Sequence, residues 1–427
     1  HRLLIHGLGI FDLCYVPEIR NSFTPTCHDL SDNLFSGRSI CPITRPARSE
    51  VVDNDARAVR GHHKSDIAPY PSTCTGHNGD FSFEHSVSPS LTSQLIRLLM
   101  ICKLIMKVGS KSSREVMVFK RTVYSEEHEM FRTTVRRFIE AEIVPHHDQW
   151  EKDGRVSRDA WLKAGEHGLL CAAMPAEYGG SGADFLASMI VLEELARVGA
   201  MGPGFSLHSD IVAPYLLSYG SEAIKQEWLP KMATGEAIGS LGMSEPSAGS
   251  DVQGIKTTAI RDGDENVISG QKVFITNGGN CDVIVLACKT DPSKGSKGTS
   301  LILVPADKPG FRKGNKLLEK IGWKAQDTAE LFFDDVRVTV GNLQGVEGRG
   351  FVQMMEQLPQ ERLMQCVRAA SSLEAAITWT TDHVKDRKAF GGTIADFQNT
   401  RFRLAEAQAD AVMLRIFVDR CLEAHYA

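Results

Sequence analysis

Apolar residues recur with a helical period through much of the region between residues 125 and 235. The segment 125–145 opens with acidic side chains. Its apolar positions fall on one face of a helix: Phe131, Val135, Phe138 and Ile143. Pro145 predicts the end of this amphipathic helix. Comparable runs follow at residues 159–170, 185–199, 209–220 and 221–235. The pattern therefore predicts a helical domain.

The pattern changes between about Ile238 and Val340, where the apolar residues gather in short β-rich runs. Gly, Asn, Asp and Pro separate these runs, which occupy residues 267–276, 281–290, 299–305 and 329–338. Regular short strands without intervening helices are typical of a small antiparallel sheet or barrel. We predict this fold for the middle of the chain.

Long helical periods return in the last part of the chain and continue to its end. One apolar stripe consists of Leu363, Val367, Ala370, Ile377, Thr381 and Val384. A second consists of Phe397, Leu404, Ala411, Leu414, Val418 and Cys421. Two such stripes predict two helices of an antiparallel bundle. We expect the bundle to be incomplete, with the stripe from Phe397 to Cys421 exposed, so that the chain folds weakly or aggregates.

These changes of pattern predict an α+β fold in four parts. An N-terminal extension covers residues 1–117, a helical domain 118–236, a β domain 237–342 and the helical bundle 343–427. The extension contains short apolar pieces broken by Pro, Ser, Asp and His, without a sustained period. We therefore expect it to be disordered or poorly packed.

The end of the extension is cationic, because residues 85–114 contain no acidic side chain. Three basic residues interrupt the apolar run 91–108: Arg97, Lys103 and Lys107. These charges argue against a membrane-spanning helix. An organelle transit peptide that starts near Met100 fits the composition, and a cationic linker is the alternative.

Composition narrows the classes of function. The net charge is −5 and no basic block with interleaved aromatic residues occurs, so we expect no nucleic-acid partner. The ten cysteines include no CxxC pair, which favours a reducing compartment over a disulfide framework. No known metal-finger spacing relates Cys27, His28, Cys74 and His77, and we predict no metal site. Neither a P-loop nor a GxGxxG after a predicted strand is present.

One stretch combines a carboxylate, a proline and several small residues: GMSEPSAGSD, at residues 242–251. Small residues let a backbone approach a ligand closely, and consecutive N–H groups in a tight turn can cradle an anion. The stretch is therefore a candidate ligand-binding turn.

The order of residues in this stretch resembles the signature of the acyl-CoA dehydrogenase family. The matching positions are Gly242, Met243, Ser244, Glu245, Gly249, Ser250, Asp251 and Gly254. VFITNGG at 273–279 and RKAFGG at 387–392, followed by FQNTRFRLAE, are similar to the family's next two landmarks. The resemblance covers residues 124–427. It is closest to the long-chain branch through GPGFSLHS, KAQDTAELFFDDVRV and LPQERL.

The resemblance implies an FAD-dependent enzyme of fatty acid β-oxidation that converts a long-chain acyl-CoA to the trans-2-enoyl-CoA. Electrons would pass to an electron-transfer flavoprotein. The FAD would be held by Leu241, Met243, Ser244, Gly249, Ser250, Phe274 and Thr276. Backbone N–H and hydroxyl groups at such positions suit the edge of a flavin ring. The flavin of a neighbouring subunit would be reached by Arg387, Phe390 and Gln398. A homotetramer or homodimer is therefore expected.

The resemblance also assigns the catalytic base to Glu361 in LPQERL, the position from which the long-chain and isovaleryl branches supply it. A carboxylate can remove the α-proton of a thioester if desolvation raises its pKa. Ser250 and Arg362 would contact the substrate. The other interpretation of Glu361 is an acid in the first turn of a helix, since Pro359 lies two residues earlier.

Two other classes of function remain open. One is a flavin-free, inactive relative that serves as an interaction protein, and the other is an acyl-CoA oxidase that reduces oxygen. The resemblance implies the mitochondrial matrix as the location, with a bacterial cytoplasm as the alternative. We expect no integral membrane association.

Overall fold

The computed structural model describes residues 120–426. The predicted transit peptide lies outside the described residues. So do Cys27, His28, Cys74 and His77, for which no metal site is predicted. Within them, the chain forms a group of helices, a seven-stranded sheet and two long helices, in that order. This is the α+β fold class that the sequence predicts. The domain boundaries at residues 117, 236 and 342 stay predictions.

The first helices follow the sequence pattern except at one proline. Helix α1 spans Glu126–Phe138 and is capped by Ser125, whose hydroxyl accepts a backbone N–H of the first turn. The prediction that Pro145 ends this helix is wrong. The chain continues through a π-helical turn at Ile139–Ile143 into α2, Val144–Asp153. Pro145 is tolerated because it lies in the first turn of α2, where its missing N–H has no intrahelical partner to lose.

Five more helices complete this part of the chain: α3 at Arg158–Glu166, α4 at Phe185–Arg197, α5 at Phe205–Leu207, α6 at Ala213–Tyr219 and α7 at Glu222–Ala233. A π-helical turn at His208–Val212 joins α5 to α6. Side-chain oxygens of Ser157, Asp184 and Ser221 cap α3, α4 and α7, which is why these helices begin where they do.

Seven strands form one sheet: β1 at Gly239–Gly242, β2 at Thr258–Asp262, β3 at Glu265–Thr276, β4 at Val283–Lys289, β5 at Thr299–Pro305, β6 at Phe311–Lys313 and β7 at Thr328–Thr339. Their order is β1–β4–β2–β3–β7–β6, and β5 also pairs with β4. The short strands β1, β2 and β6 were not among the predicted runs.

The sheet is mixed, which corrects the prediction of a purely antiparallel sheet. Strand β1 pairs with β4 in parallel, and so does β2, through Thr258 and Lys289. The pairs β2–β3, β3–β7, β4–β5 and β6–β7 are antiparallel. The long connection between β1 and β4, which contains β2 and β3, lets the chain return in the same direction. The alternation of apolar and polar residues along one strand does not show whether its neighbour runs parallel or antiparallel.

Strand β4 is buried on both faces. Its alternating residues Val283, Val285 and Ala287 belong to a core shared with the helices. Ile284, Leu286 and Cys288 belong to a second core inside the β part. Successive side chains of a strand point to opposite faces, so β4 separates the two cores. Because β1 pairs with β4, the segment that follows β1 emerges at the junction of the sheet and the helices.

The last part contains the helix α8, Gly350–Asp386, a small hairpin of β8, Lys388–Ala389, and β9, Gly392–Thr393, and the helix α9, Gln398–Tyr426. Pro359 lies inside α8. The interpretation of Glu361 as a first-turn acid is therefore wrong, because three turns of helix precede it.

The second apolar stripe is largely covered, contrary to the expectation that it is exposed. Ala411 and Val418 are buried, and Leu414 and Cys421 pack against the core that contains Val418. Helix α8 lies against α9 and supplies the cover. The large apolar side chains that α9 does expose lie elsewhere on its surface: Phe402, Met413, Ile416, Phe417 and Tyr426. Phe397, just before α9, is exposed as expected.

Among residues 120–426, none of the helices has both the length and the apolar character needed to span a bilayer.

Candidate active site

The signature stretch forms a bend after β1 that is closed from inside by a buried ion pair. The side chains of Lys272 in β3 and Glu245 in the bend are 0% and 4% exposed, and their Nζ and Oε1 atoms lie 2.8 Å apart. The Glu245 carboxylate also accepts the backbone N–H groups of Lys256 and Thr257, at 2.6 and 3.0 Å. The carboxylate of the signature is therefore an anchor of the bend.

Burial alone would raise the pKa of Glu245. The Lys272 ammonium and the bonds from Thr257 and Lys256 outweigh this effect, so the pKa of Glu245 lies below its usual range. The carboxylate is ionised at neutral pH and holds its donors with charge-assisted hydrogen bonds.

The same lysine joins the bend to the second landmark of the sequence. Lys272 Nζ donates to the carbonyl oxygen of Met243 at 3.0 Å. The N–H of Val273 donates to the carbonyl oxygen of Ser244, also at 3.0 Å. Both carbonyl groups thus point towards β3. The structure places the predicted cofactor residues Met243 and Ser244 directly beside the segment that carries Phe274.

Phe274 lies in a β-bulge of β3. The register with β7 changes between the pairs Lys272–Leu331 and Ile275–Ala329, so β3 contains one extra residue there. Phe274 adopts a φ of 59°, and its side chain is 70% exposed. The bulge therefore turns an aromatic ring out of the sheet beside the signature bend.

The remaining predicted cofactor residues of this region line the same part of the molecule. Thr276 is half-buried, and its carbonyl oxygen accepts the hydroxyl of Ser240 in β1 at 2.7 Å. Leu241 is half-buried, whereas Gly249 and Ser250 are exposed. A Cβ atom built on Gly249 would meet nothing within 4 Å. The tip of the bend therefore borders open space.

Glu361 lies on α8 and faces α6. The hydroxyl of Tyr215 donates to its Oε1 atom at 3.1 Å. Burial raises the pKa of Glu361, although the Tyr215 hydrogen bond and the charge of Arg362 act in the opposite direction. A partly buried carboxyl group with a raised pKa has the character of a general base. The neighbouring Arg362 is exposed.

The bend and the base border the same core. Leu241 and Met243 pack, half-buried, against the cluster that contains Tyr215 and Met364. Tyr215 is the hydrogen-bond partner of Glu361, so the sequence-predicted base and the signature bend border one core shared by helices and sheet.

The third group of predicted cofactor residues lies far from Glu361 along the chain's own helix α8. Arg387 follows the last residue of α8, Asp386, and the helix between Glu361 and its end is roughly 38 Å long. Phe390, in the turn of the β8–β9 hairpin, is 96% exposed, and Gln398 is also exposed. These residues therefore lie about seven helical turns from the position of Glu361 on the helix that carries it.

Sequence reasoning missed three residues that shape the site: Lys272, Tyr215 and His208. His208 is fully buried, and its Nδ1 atom accepts the N–H of Gly239 at the start of β1, at 2.9 Å. Its Nε2 atom lies 2.9 Å from the carbonyl oxygen of Met232. Burial lowers the pKa of His208 to about 4, so the ring is neutral. Its two hydrogen bonds connect the start of β1 to helix α7. Of these three residues, only Lys272 could have been recognised from the sequence, because it is a charged residue inside a predicted apolar strand.

The part of the chain that the structure describes contains no group of three or more His, Cys, Asp or Glu side chains arranged to hold a metal ion.

The chain matches three family models in order. They are the acyl-CoA dehydrogenase N-terminal domain at residues 125–236, its middle domain at 240–336 and its C-terminal domain at 348–427. It is 48% identical over 307 residues to the mitochondrial long-chain specific acyl-CoA dehydrogenase of Sus scrofa, covering 71% of each chain.

Solved structures agree with these matches. An acyl-CoA dehydrogenase from Geobacillus kaustophilus is 48% identical with a TM-score of 0.70, and the likeness covers 72% of this chain and 81% of that one. A glutaryl-CoA dehydrogenase from Mycobacterium smegmatis, solved in complex with FADH2, is 26% identical with a TM-score of 0.65, covering 71% of this chain and 77% of that one.

Fold and matches together define an oxidoreductase that acts on acyl-CoA. The chain belongs to the acyl-CoA dehydrogenase family. The resemblance noted in the sequence is thereby confirmed, and so is the fold that it implied. Members of this family bind FAD.

Proposed function

We propose that this chain binds FAD and oxidises long-chain acyl-CoA to the trans-2-enoyl-CoA in fatty acid β-oxidation. The observation that carries the proposal is the position of Glu361. It is a partly buried carboxyl group with a raised pKa, and it accepts a hydrogen bond from Tyr215. Tyr215 belongs to the core against which the signature bend packs. The long-chain preference is supported by the 48% identity to the porcine protein of that name.

The residues of the bend fit a flat aromatic cofactor. Phe274 offers an exposed ring that can pack against a flavin, and the space beside Gly249 admits close approach. The residues that would hold FAD are Leu241, Met243, Ser244, Gly249, Ser250, Phe274 and Thr276. When bound, FAD supplies the acceptor for the hydride that leaves the β-carbon.

Glu361 accepts the α-proton of the thioester. Its Oε1 atom accepts the hydrogen bond from the Tyr215 hydroxyl. The other oxygen, Oε2, is therefore the one that takes the proton. Burial raises the affinity of the carboxylate for that proton, and the Tyr215 hydroxyl fixes its orientation. Ser250 at the tip of the bend and the exposed Arg362 would orient the acyl-CoA.

Cofactor binding would involve two subunits of a homodimer or homotetramer. Arg387, Phe390 and Gln398 follow the end of α8, roughly 38 Å along the helix from Glu361, so they are available to the flavin of a neighbouring subunit. Phe390 is 96% exposed, and its ring would contact that flavin.

Electron-transfer flavoprotein is the proposed electron acceptor. The mitochondrial matrix is the proposed location, supported by the mitochondrial names of the long-chain relatives, although bacterial relatives are also similar.

Anaerobic titration of the purified protein with acyl-CoAs of graded length tests the proposal. Bleaching of the flavin absorbance, strongest with long chains, is the expected result. A soluble oligomer without flavin would instead identify an inactive interaction protein. Formation of hydrogen peroxide without an added acceptor would identify an oxidase.

A further inference from the structure

A buried arginine on α8 lies beyond Glu361 and takes no part in the proton transfer described above. Arg368 follows Glu361 by seven residues, so the two side chains share one face of the helix, about 10 Å apart along its axis. Arg368 is 8% exposed. Both side chains face the stretch of chain from α5 to α6, because Glu361 contacts Tyr215 on α6 and Arg368 contacts Ser206 on α5.

The guanidinium group is only partly satisfied. Its Nη2 atom donates to the hydroxyl of Ser206 at 2.7 Å, and its Cζ atom lies 4.7 Å from the centroid of the Trp323 ring. The Nε atom is buried and has no hydrogen-bond partner among the described residues. A guanidinium carries five N–H donors, so the contacts with Ser206 and Trp323 leave much of its capacity unused.

The carboxyl group of Asp210 does not fully compensate the buried charge of Arg368. Burial lowers the pKa of Arg368 to about 10, and Asp210 offsets this only in part. Burial likewise raises the pKa of Asp210, to about 7, so the two buried groups do not fully stabilise each other. A buried cation without a bonded carboxylate is costly, because it has lost its water without gaining a matching partner.

A small cavity nearby, with both polar and apolar lining residues, does not supply that partner. Asp210, Ser188, Ser206 and Ser209 line a cavity of about 10 Å³, which has room for roughly one water molecule. Arg368 is not part of its lining. The unsatisfied Nε atom is therefore a separate feature, on the face of α8 that it shares with Glu361.

We propose that Arg368 binds an oxygen acceptor carried by the acyl group, so that the preferred substrates bear a carboxylate or a hydroxyl on the chain. The inference rests on the proposed function, because Glu361 places the α-carbon of the thioester. An acyl chain that starts at Glu361 and follows this face of α8 reaches the guanidinium two turns further on. A carboxylate is the stronger partner, since a guanidinium can bind it through two parallel hydrogen bonds.

The test uses the FAD-loaded enzyme and sets of acyl-CoAs that are matched in chain length: plain alkyl, ω-hydroxy and ω-carboxy. For at least one length, wild-type kcat/KM should favour an oxygenated chain over the plain one by at least about tenfold, as for a charge-assisted hydrogen bond. Arg368→Met should reduce this ratio to near one by losing the oxygenated substrate. Arg368→Lys, which keeps the charge, should retain part of the preference.

Three readouts separate this role from a structural one. The melting temperature of Arg368→Met should stay the same or rise, because an apolar side chain of similar length replaces a poorly paired buried charge. Its FAD content should be unchanged. A lower melting temperature with an unchanged ratio would show that Arg368 only stacks on Trp323. Loss of FAD would show that the cofactor is the acceptor. Either result overturns the inference.

Equal or greater wild-type activity on plain acyl-CoA at every chain length also overturns it. Calorimetric binding of the same compounds to wild type and Arg368→Met keeps the inference separate from the proposed function. If no compound bleaches the flavin while an oxygenated chain binds more tightly and only through Arg368, the inference stands and the proposed function fails. If binding also shows no preference, the inference fails.

Discussion

Lys272 and Glu245 form a buried ion pair with a separation of 2.8 Å, and the pair joins two sequence landmarks of the predicted cofactor region. Glu245 closes the signature bend through the N–H groups of Lys256 and Thr257. Lys272 fixes the carbonyl oxygen of Met243 from the strand that carries Phe274. These contacts therefore hold the bend and the strand with the exposed ring as one unit.

Changing Lys272 to Met should destabilise the protein strongly. The Glu245 carboxylate would stay buried without its counter-charge, at a cost of about 3–5 kcal/mol. Thermal unfolding and FAD affinity, measured by flavin fluorescence, should both decrease. The double variant Lys272→Met/Glu245→Gln should be more stable than Lys272→Met alone, because no isolated charge remains. A single variant with wild-type melting and FAD affinity would contradict the role of the pair.

Replacing Glu361 with Gln should abolish flavin bleaching by acyl-CoA, with at least a hundredfold loss in rate, because no carboxylate remains to take the α-proton. Ligand-induced shifts of the flavin spectrum should persist. Glu356→Gln is the matched control, since Glu356 is an exposed carboxylate of the same helix that bonds Tyr219 at 2.7 Å. Bleaching at the original rate in Glu361→Gln would mean that another residue is the base.

The change Tyr215→Phe should shift the pH dependence of turnover. The Tyr215 hydrogen bond lowers the pKa of Glu361, against burial, which raises it. Without the hydroxyl the pKa of Glu361 rises further. As the pH is lowered, Glu361 therefore becomes protonated at a higher pH than in the wild type. The acid limb of the kcat/KM profile should therefore move to higher pH. Tyr219→Phe should leave the limb in place, because Tyr219 bonds Glu356 and not Glu361.

Glu193 should make the fold sensitive to acid. It is buried and contacts the guanidinium groups of Arg121, Arg132 and Arg415. Burial opposes its charge, but these guanidinium groups lower its pKa to about 2. Its stabilising contribution is present above the ordinary carboxyl pKa and is lost as the pH falls from about 4.5 towards 2.

The variant Glu193→Gln should therefore be less stable near neutral pH and show a weaker loss of stability between pH 5 and 2, as monitored by chemical denaturation. Glu406→Gln, at an exposed pair with Arg403, should match the wild type. Parallel stability profiles of wild type and Glu193→Gln would exclude this account.

Changing Phe390 to Ser should weaken FAD binding by several-fold, in line with about 1 kcal/mol for one aromatic contact. This follows if the exposed ring of Phe390 contacts the cofactor of a neighbouring subunit. FAD retention during gel filtration and the oligomeric state should be measured together. Met130→Ser, at an exposed apolar residue of α1, is the control. Unchanged FAD affinity in the Phe390 variant would remove this residue from the proposed cofactor site.

Much of the fold and the family followed from the sequence. The helical period and the short β-rich runs act over a few positions, so they predicted the helices and the main strands. Pro145 misled because a proline ends one helix and begins another with equal ease, and the distinction depends on the π-helical turn before it. The resemblance of LPQERL to the long-chain branch predicted Glu361 as the base, and its raised pKa could only come from burial by the rest of the chain.

What the sequence by itself determined is local: which segments form helices and strands, and the signature that identifies the acyl-CoA dehydrogenase family. The tertiary structure alone decided that Glu245 pairs with Lys272, that Tyr215 orients Glu361 and that Arg368 contacts Ser206, over separations of 27, 146 and 162 residues. It also decided that a bulge turns Phe274 outwards and that β1 runs parallel to β4. Such contacts depend on how distant segments pack, because burial and register are properties of the assembled core and not of any single stretch.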